Sequence, residues 1–201
     1  MMKDPYVTTD KVIKALNRIF IKRFRQANGD LLFMDELNVL KYCDDMYEEM
    51  LETVKKYFLL LARKIYGAYL LNGAKGKQIT KAWVNKILYA YDDLAMYVFI
   101  NEVDRKAQRF AESVIASEDN EKQIKQGLTY WSKMVQQYAD TVTHQAVIQA
   151  FKDSGVVKVV WVTQKDNRVC LDCVELDGEV FDIDKLPLRP HWGCRCTIRP
   201  L

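Results

Sequence analysis

Ser154-Gly155-Val156-Val157-Lys158-Val159-Val160-Trp161-Val162-Thr163 is where the chain changes character. Upstream, apolar residues recur at helical spacing. Downstream, β-branched and aromatic residues run almost unbroken, as in a short buried strand. Gly155 stands at the junction, where glycine most easily adopts the left-handed conformation that closes a helix. Proline follows the same division. None occurs between Pro5 and Pro187, and the other three (Pro187, Pro190, Pro200) lie in the last 15 residues. Proline removes a backbone donor and clashes with the preceding helical turn, so a long proline-free body favours helix. The expected fold is mainly α with a small C-terminal β module (α+β). Residues 1–155 form an elongated helical bundle, and residues 156–201 form a β-hairpin region stapled by cysteine and histidine.

The body divides into helices by its apolar period. Thr8-Thr9-Asp10 offers an N-cap to a first helix carrying Ile13, Leu16, Phe20, Phe24 and Ala27, with Asn28-Gly29 as its stop. Residues 11–25 hold six basic residues (Lys11, Lys14, Arg18, Lys22, Arg23, Arg25) and no acid. This basic amphipathic face is either simply solvated or a contact for DNA or an acidic protein. A second helix runs over residues 35–71, about 55 Å at ~1.5 Å per residue. Leu37, Leu40, Tyr47, Met50, Leu51, Val54, Phe58, Leu61 and Ile65 mark its buried face, and Asn72-Gly73 its end. Its other face carries Asp44, Asp45, Glu48, Glu49 and Glu52, read as a solvated acidic surface. Gly73-Ala74-Lys75-Gly76-Lys77 lacks the strand, spacing and hydroxyl residue of a phosphate loop. Thr80 caps a third helix to about Tyr91, and Asp92-Asp93 caps a fourth over residues 94–116. Residues 117–120 make a polar loop. A last helix spans residues 121–153, with a break expected near Tyr138–Asp140. Cys43 and His144 read as packed core residues.

Composition excludes several classes. The chain is 49% hydrophobic and 28% charged, enough apolar material for a core. A net charge of +3 does not by itself imply nucleic acid. No window reaches the roughly 20 apolar residues that span a bilayer. Met1-Met2-Lys3-Asp4-Pro5 opens no apolar secretory segment, so the expectation is a chain that is not exported and whose cysteines stay reduced.

Chemistry concentrates in the module. Four of five cysteines (Cys170, Cys173, Cys194, Cys196) lie in the last 32 residues. The pattern is C-x2-C, seventeen residues, then H-x2-C-x-C beginning at His191. Such pairs can close a tetrahedral shell around zinc, with four of the five residues as ligands in a structural site. If residues 194–196 are extended, Cys194 and Cys196 face opposite ways and only one binds beside His191. If they form a tight turn, both bind and His191 stands outside the shell. Asp177-Gly178, between Val174-Leu176 and Val180-Phe181, predicts a β-hairpin.

These motifs together resemble the phage head-morphogenesis family, the Mu F-like minor head proteins. The resemblance runs through Trp161-Val162, then Asp166-Asn167-Arg168-Val169-Cys170-Leu171-Asp172-Cys173. It continues in Leu176-Asp177-Gly178 and Pro190-His191-Trp192-Gly193-Cys194-Arg195-Cys196. A weaker similarity lies in Asn101-Glu102-Val103-Asp104-Arg105-Lys106. The resemblance implies a minor capsid protein of a tailed double-stranded DNA phage or prophage, made in the bacterial host cytoplasm and incorporated into the virion. It implies a structural role rather than an enzymatic one. The phage portal protein is the expected partner, with major capsid or scaffolding protein and packaged DNA as further ones, and no membrane. The main alternative is a zinc-containing nucleic-acid-binding module. It is disfavoured because residues 166–201 hold seven acidic and five basic residues, net −2. A zinc hydrolase or nuclease would need an open metal position and a base, for which only Asp166, Asp172 and Glu175 are near.

Overall fold

The computed structural model describes residues 4–89, 99–117, 119–164, 169–187, 189–191 and 193–201. Five helices make the body: α1 (Tyr6–Asp30), α2 (Glu36–Tyr69), α3 (Lys81–Leu88), α4 (Phe99–Ile115) and α5 (Asn120–Asp153). Then follow β1 (Lys158–Val162), a short α6 (Leu171–Leu176), β2 (Val180–Asp182) and β3 (Thr197–Pro200). α2 and α5 have 34 residues each, about 51 Å at ~1.5 Å per residue. Two helices of that length make the elongated bundle expected from the sequence. α5 is its spine, packing against α1, α2, α3, α4 and β3.

The apolar period explains why the helices meet. α1 buries Ile13, Leu16, Phe20, Phe24 and Ala27, as its spacing requires. At the centre, Phe24 meets Phe110 of α4 edge-on at 5.6 Å, and Tyr47 of α2 meets Trp131 of α5 at 5.4 Å. Aromatic pairs in this geometry add to the burial of their area. Gly127 permits the approach of α5, because a Cβ there would lie 2.6 Å from the Phe24 ring. The loop after α2 is held by Tyr66, whose hydroxyl bonds Asp153 at 2.8 Å and takes the Lys77 N–H at 2.7 Å.

Several expected boundaries move. α1 begins at Tyr6, not after Thr8-Thr9-Asp10. Asp4 Oδ1 accepts the Tyr6 N–H at 2.9 Å, and Pro5, with φ −65°, suits a first turn. Thr9 is instead buried inside the helix, its hydroxyl 2.7 Å from that of Thr143. Asn28-Gly29 does not stop α1. The helix passes through to Asp30 and a 3-10 turn (Leu31–Phe33), because Leu31 continues the buried line of Phe20, Phe24 and Ala27. Leu37 and Leu40 are exposed rather than buried, since Val39 and Cys43 hold the inward register of α2. The expected break near residue 138 is absent. Tyr138, Ala139 and Asp140 are all buried in continuous helix, and Asp140 accepts from Gln136 Nε2 at 3.0 Å. α3 ends at Leu88, with Tyr89 as its C-cap, short of the expected end near Tyr91. The Asp92-Asp93 cap and the start at Leu94 lie outside the described residues. Asp35 and Thr80 do cap α2 and α3, and Gly155 closes α5 with φ +76°.

The three strands form one antiparallel sheet in the order β2-β1-β3. Val160 pairs with Val180 on one side and Arg199 on the other. Alternation sends Val159, Trp161 and Ile198 inward. Trp161 reaches the His144 ring of α5 at 6.0 Å, which seats the sheet on the spine. The expected hairpin at Asp177-Gly178 is instead a helix-to-strand turn, because Val174 and Leu176 belong to α6. Gly178, at φ +87°, donates its N–H to the Trp161 carbonyl at 2.9 Å, and Asp177 Oδ1 takes the Thr163 N–H at 2.9 Å. The turn therefore closes onto β1 rather than onto a strand preceding it.

Candidate metal centre

The C-x2-C segment opens a short helix. Cys170 is the N-cap of α6, and its sulfur accepts the Cys173 N–H at 3.4 Å. One helical turn thus places both sulfurs on the same side. The second group comes from the loop before β3. Gly193, at φ +70°, makes a turn in which the Cys194 N–H reaches the His191 carbonyl at 3.4 Å. That turn brings Cys194 and Cys196 inward together, and both are buried.

Two triads result. Cys170, Cys173 and His191 have ligand atoms all within 4.8 Å of one another, and so do Cys173, Cys194 and Cys196. Cys173 belongs to both. Its sulfur lies 3.6 Å from His191 Nε2 and 3.7 Å from Cys194 Sγ. All five residues singled out in the sequence therefore converge, and all the cysteines are free thiols. Such a donor set can chelate a soft or borderline cation.

Hydrogen bonding from the Cys196 thiol pulls Cys194 down to about 5 against the opposing effect of burial, with Arg189 contributing positive charge. Burial, the Cys170 contact and the Cys194 charge push Cys173 up to about 12. Cys196 is raised too, first by its hydrogen bond to Cys194 and then by burial. Cys194 ionises easily, whereas Cys173 and Cys196 hold their protons unless a cation balances the charge.

The loop is held by residues the sequence reading did not single out. Three consecutive carbonyls each take a side-chain donor. Arg189 Nη1 bonds the Cys194 carbonyl at 2.7 Å, Gln164 Nε2 that of Arg195 at 2.9 Å, and the Tyr6 hydroxyl that of Cys196 at 3.0 Å. Arg189 Nη2 also reaches Thr141 of α5 at 3.0 Å. No local signal marks Tyr6 for this task, since it stands 190 residues from its partner. Of the earlier base candidates, Asp172 and Glu175 are exposed on α6, and Asp166 lies outside the described residues, as does Trp192.

The basic residues of α1 form a separate surface. Lys11, Lys14, Arg18, Lys22 and Arg25 are exposed along one outward row. Arg23 turns toward α2, bonding Glu49 at 3.1 Å and the Tyr42 hydroxyl at 2.8 Å. Among the described residues, no helix is long and apolar enough to cross a membrane.

Fold and site together define a class: a long-helix bundle whose last helix carries a small sheet and a clustered Cys/His clip. The family described as phage Mu protein F like protein matches residues 69–199, more than half of the chain, and the chain belongs to that family. Membership makes it a phage head-morphogenesis protein, as the motif resemblance implied. α1 and nearly all of α2 lie outside the matched residues. No curated protein and no solved structure matches the chain significantly.

Proposed function

We propose that this chain is a minor head protein of a tailed double-stranded DNA phage, acting at or near the portal vertex and residing in the virion. Residues 1–155 supply the helical body for partner contacts. Residues 156–201 are the clip that closes the fold, held by one structural zinc. The observation that carries this reading is a family match that runs through α5 and the Cys/His loop into β3.

The donor set supports zinc. A tetrahedral ion with sulfur at about 2.3 Å and nitrogen at about 2.05 Å has S···S edges near ~3.8 Å and S···N edges near ~3.6 Å. The separations of 3.7 and 3.6 Å around Cys173 match those edges. Cys173 is a ligand in every four-residue choice that the two triads allow. Zinc would cross-link α6 to the β3 loop, and a closed shell of this kind serves structure rather than catalysis. The portal protein is the partner to test, with capsid or scaffolding protein and packaged DNA as further ones.

Co-expression with the portal protein of the same phage genome tests the assignment. Co-purification in a defined ratio is expected, and failure to co-purify overturns the portal contact. Metal analysis of the purified chain tests the zinc: about one equivalent is expected, lost in Cys173→Ser. A metal content unchanged by that substitution overturns the site.

A further inference from the structure

α1 and α5 run antiparallel and in contact. The Thr9 and Thr143 hydroxyls meet at 2.7 Å, the Phe20 and Trp131 rings at 5.2 Å, and Gly127 faces the Phe24 ring. Beside this seam lies an open groove of about 670 Å³ that neither the core nor the metal centre uses. Asn17 of α1 forms one wall, Thr129, Ser132, Lys133 and Gln137 of α5 form the other, and Gly193 of the cysteine loop completes it.

Cations border the groove on both sides. α1 presents Lys11, Lys14, Arg18, Lys22 and Arg25 in one exposed row, at spacings of three and four. Lys14 stands one turn before Asn17, on the rim. Counted from the Phe20–Trp131 pair along antiparallel helices, Arg18 comes level with Lys133 and Lys14 with Gln137. Among the described residues, none of these six cations is taken up by an ion pair. Two carboxylates lie at the Lys14 end: Asp10, exposed one turn earlier, and Asp140, buried and bonded by Gln136 Nε2 at 3.0 Å.

We infer that this α1–α5 face binds the phosphate backbone of duplex DNA without reading its sequence. Its side chains are the types that position a protein on phosphates: lysine, arginine, serine, threonine, asparagine and glutamine. The row from Lys11 to Arg25 is about 21 Å long at ~1.5 Å per residue, the rise of about six nucleotides along one strand. An acidic protein partner would call for an apolar or aromatic anchor at the centre of the contact, and a single strand for aromatic side chains on which bases stack. Among the described residues, the groove is lined by no aromatic side chain, and its one apolar lining residue, Leu128, is partly buried against the core. The inference deepens the minor head reading and rests on it for packaged DNA as the polyanion at hand. The α1 row itself lies outside the family-matched residues.

Anisotropy titration of the full chain against a labelled duplex, from about 50 to 200 mM salt, tests the face. About four to six phosphate contacts give a slope of log K against log salt of about −4 to −5, the same for duplexes of unrelated sequence. K14Q/R18Q/K133Q should weaken binding at least about tenfold and flatten the slope by about 3. K56Q/K64Q/K86Q removes the same charge from exposed positions on α2 and α3 and should leave both affinity and slope unchanged. All six positions are exposed, so folding is not at issue. A wild type without salt-dependent DNA binding overturns the inference, as do equal losses in the two triple variants. So does polyglutamate that binds as tightly as DNA, charge for charge, which reassigns the face to an acidic protein. Portal co-purification is read separately: a chain that holds the portal but not DNA keeps the minor head reading and loses this one.

Discussion

His144 and Asp140, one turn apart in the middle of α5, should give the protein opposing pH dependences that conceal each other. His144 is 5% exposed, its Nδ1 has no hydrogen-bond partner, and burial followed by the charge of Arg189 lowers its pKa from 6.5 to about 3. Asp140 is 1% exposed, and burial raises its pKa from 3.8 to about 6 despite the Gln136 hydrogen bond and the nearby Arg189 and Arg195. As pH falls below 6.5, the unfolded chain protonates His144 and the folded chain does not, so stability drops by about 1.4 kcal/mol per pH unit down to pH 3. As pH falls below 6, the folded chain protonates Asp140 before the unfolded chain does. Stability then rises at about the same slope until about pH 4, roughly 3 kcal/mol in all.

Between about pH 4 and 6 the two contributions cancel. Single substitutions uncouple them. His144→Gln keeps the polar size, gives up no hydrogen bond at Nδ1, and should gain stability relative to wild type as pH falls from 6 to 4. Asp140→Asn should lose it over the same range, by about 1.4 kcal/mol per pH unit. The assay is urea unfolding at constant ionic strength across pH 4–6.5, read as variant minus wild type at each pH. Titration of the cysteine cluster is common to both proteins and drops out of that difference. Differences that stay flat with pH for both variants would refute the reasoning, because neither group would then change its proton affinity on folding.

Further outcomes follow from particular contacts. Asp140→Asn should be more stable than wild type at pH 8, by up to about 3 kcal/mol, because an ionised buried carboxylate is removed; a lower urea midpoint at that pH would contradict it. Gly127→Ala should cost about 1–3 kcal/mol by forcing a methyl group into the Phe24 ring, measured as a shift in urea midpoint. Tyr6→Phe should cost about 1 kcal/mol by freeing the Cys196 carbonyl, and should speed metal loss to a chelator if that bond holds the cysteine loop. Trp161→Ala should cost about 3–5 kcal/mol through the cavity between sheet and α5, read by thermal or urea denaturation.

The parts legible in the sequence are those governed by a local period or a single special residue. Ile13, Leu16, Phe20 and Phe24 share a face because of helical geometry alone, and they are buried. Gly155 closes α5 because its conformation needs no Cβ, and Val159 and Trp161 point inward because a strand alternates. The errors arose where local signals compete. Asn28-Gly29 resembles a stop, but the burial of Leu31 outweighs it. Asp177-Gly178 resembles a hairpin turn, but the Cys170 sulfur caps a helix immediately before it. Leu37 and Leu40 fit an apolar period, but Val39 and Cys43 occupy the inward line.

For the cysteine cluster, sequence alone determined the donor types, their two groups and the question of whether Cys194 and Cys196 face together. Tertiary structure decided that they do, through the Gly193 turn, and that Cys173 stands between both triads. It also placed Tyr6, Gln164 and Arg189 on three successive carbonyls of that loop. The physical reason is range. Helical period, strand alternation and capping act over a few residues and can be read along the chain. The position of a sulfur relative to another element, or the burial of His144 beneath Trp161, depends on how long helices pack, and that is specified only when all of them are in place.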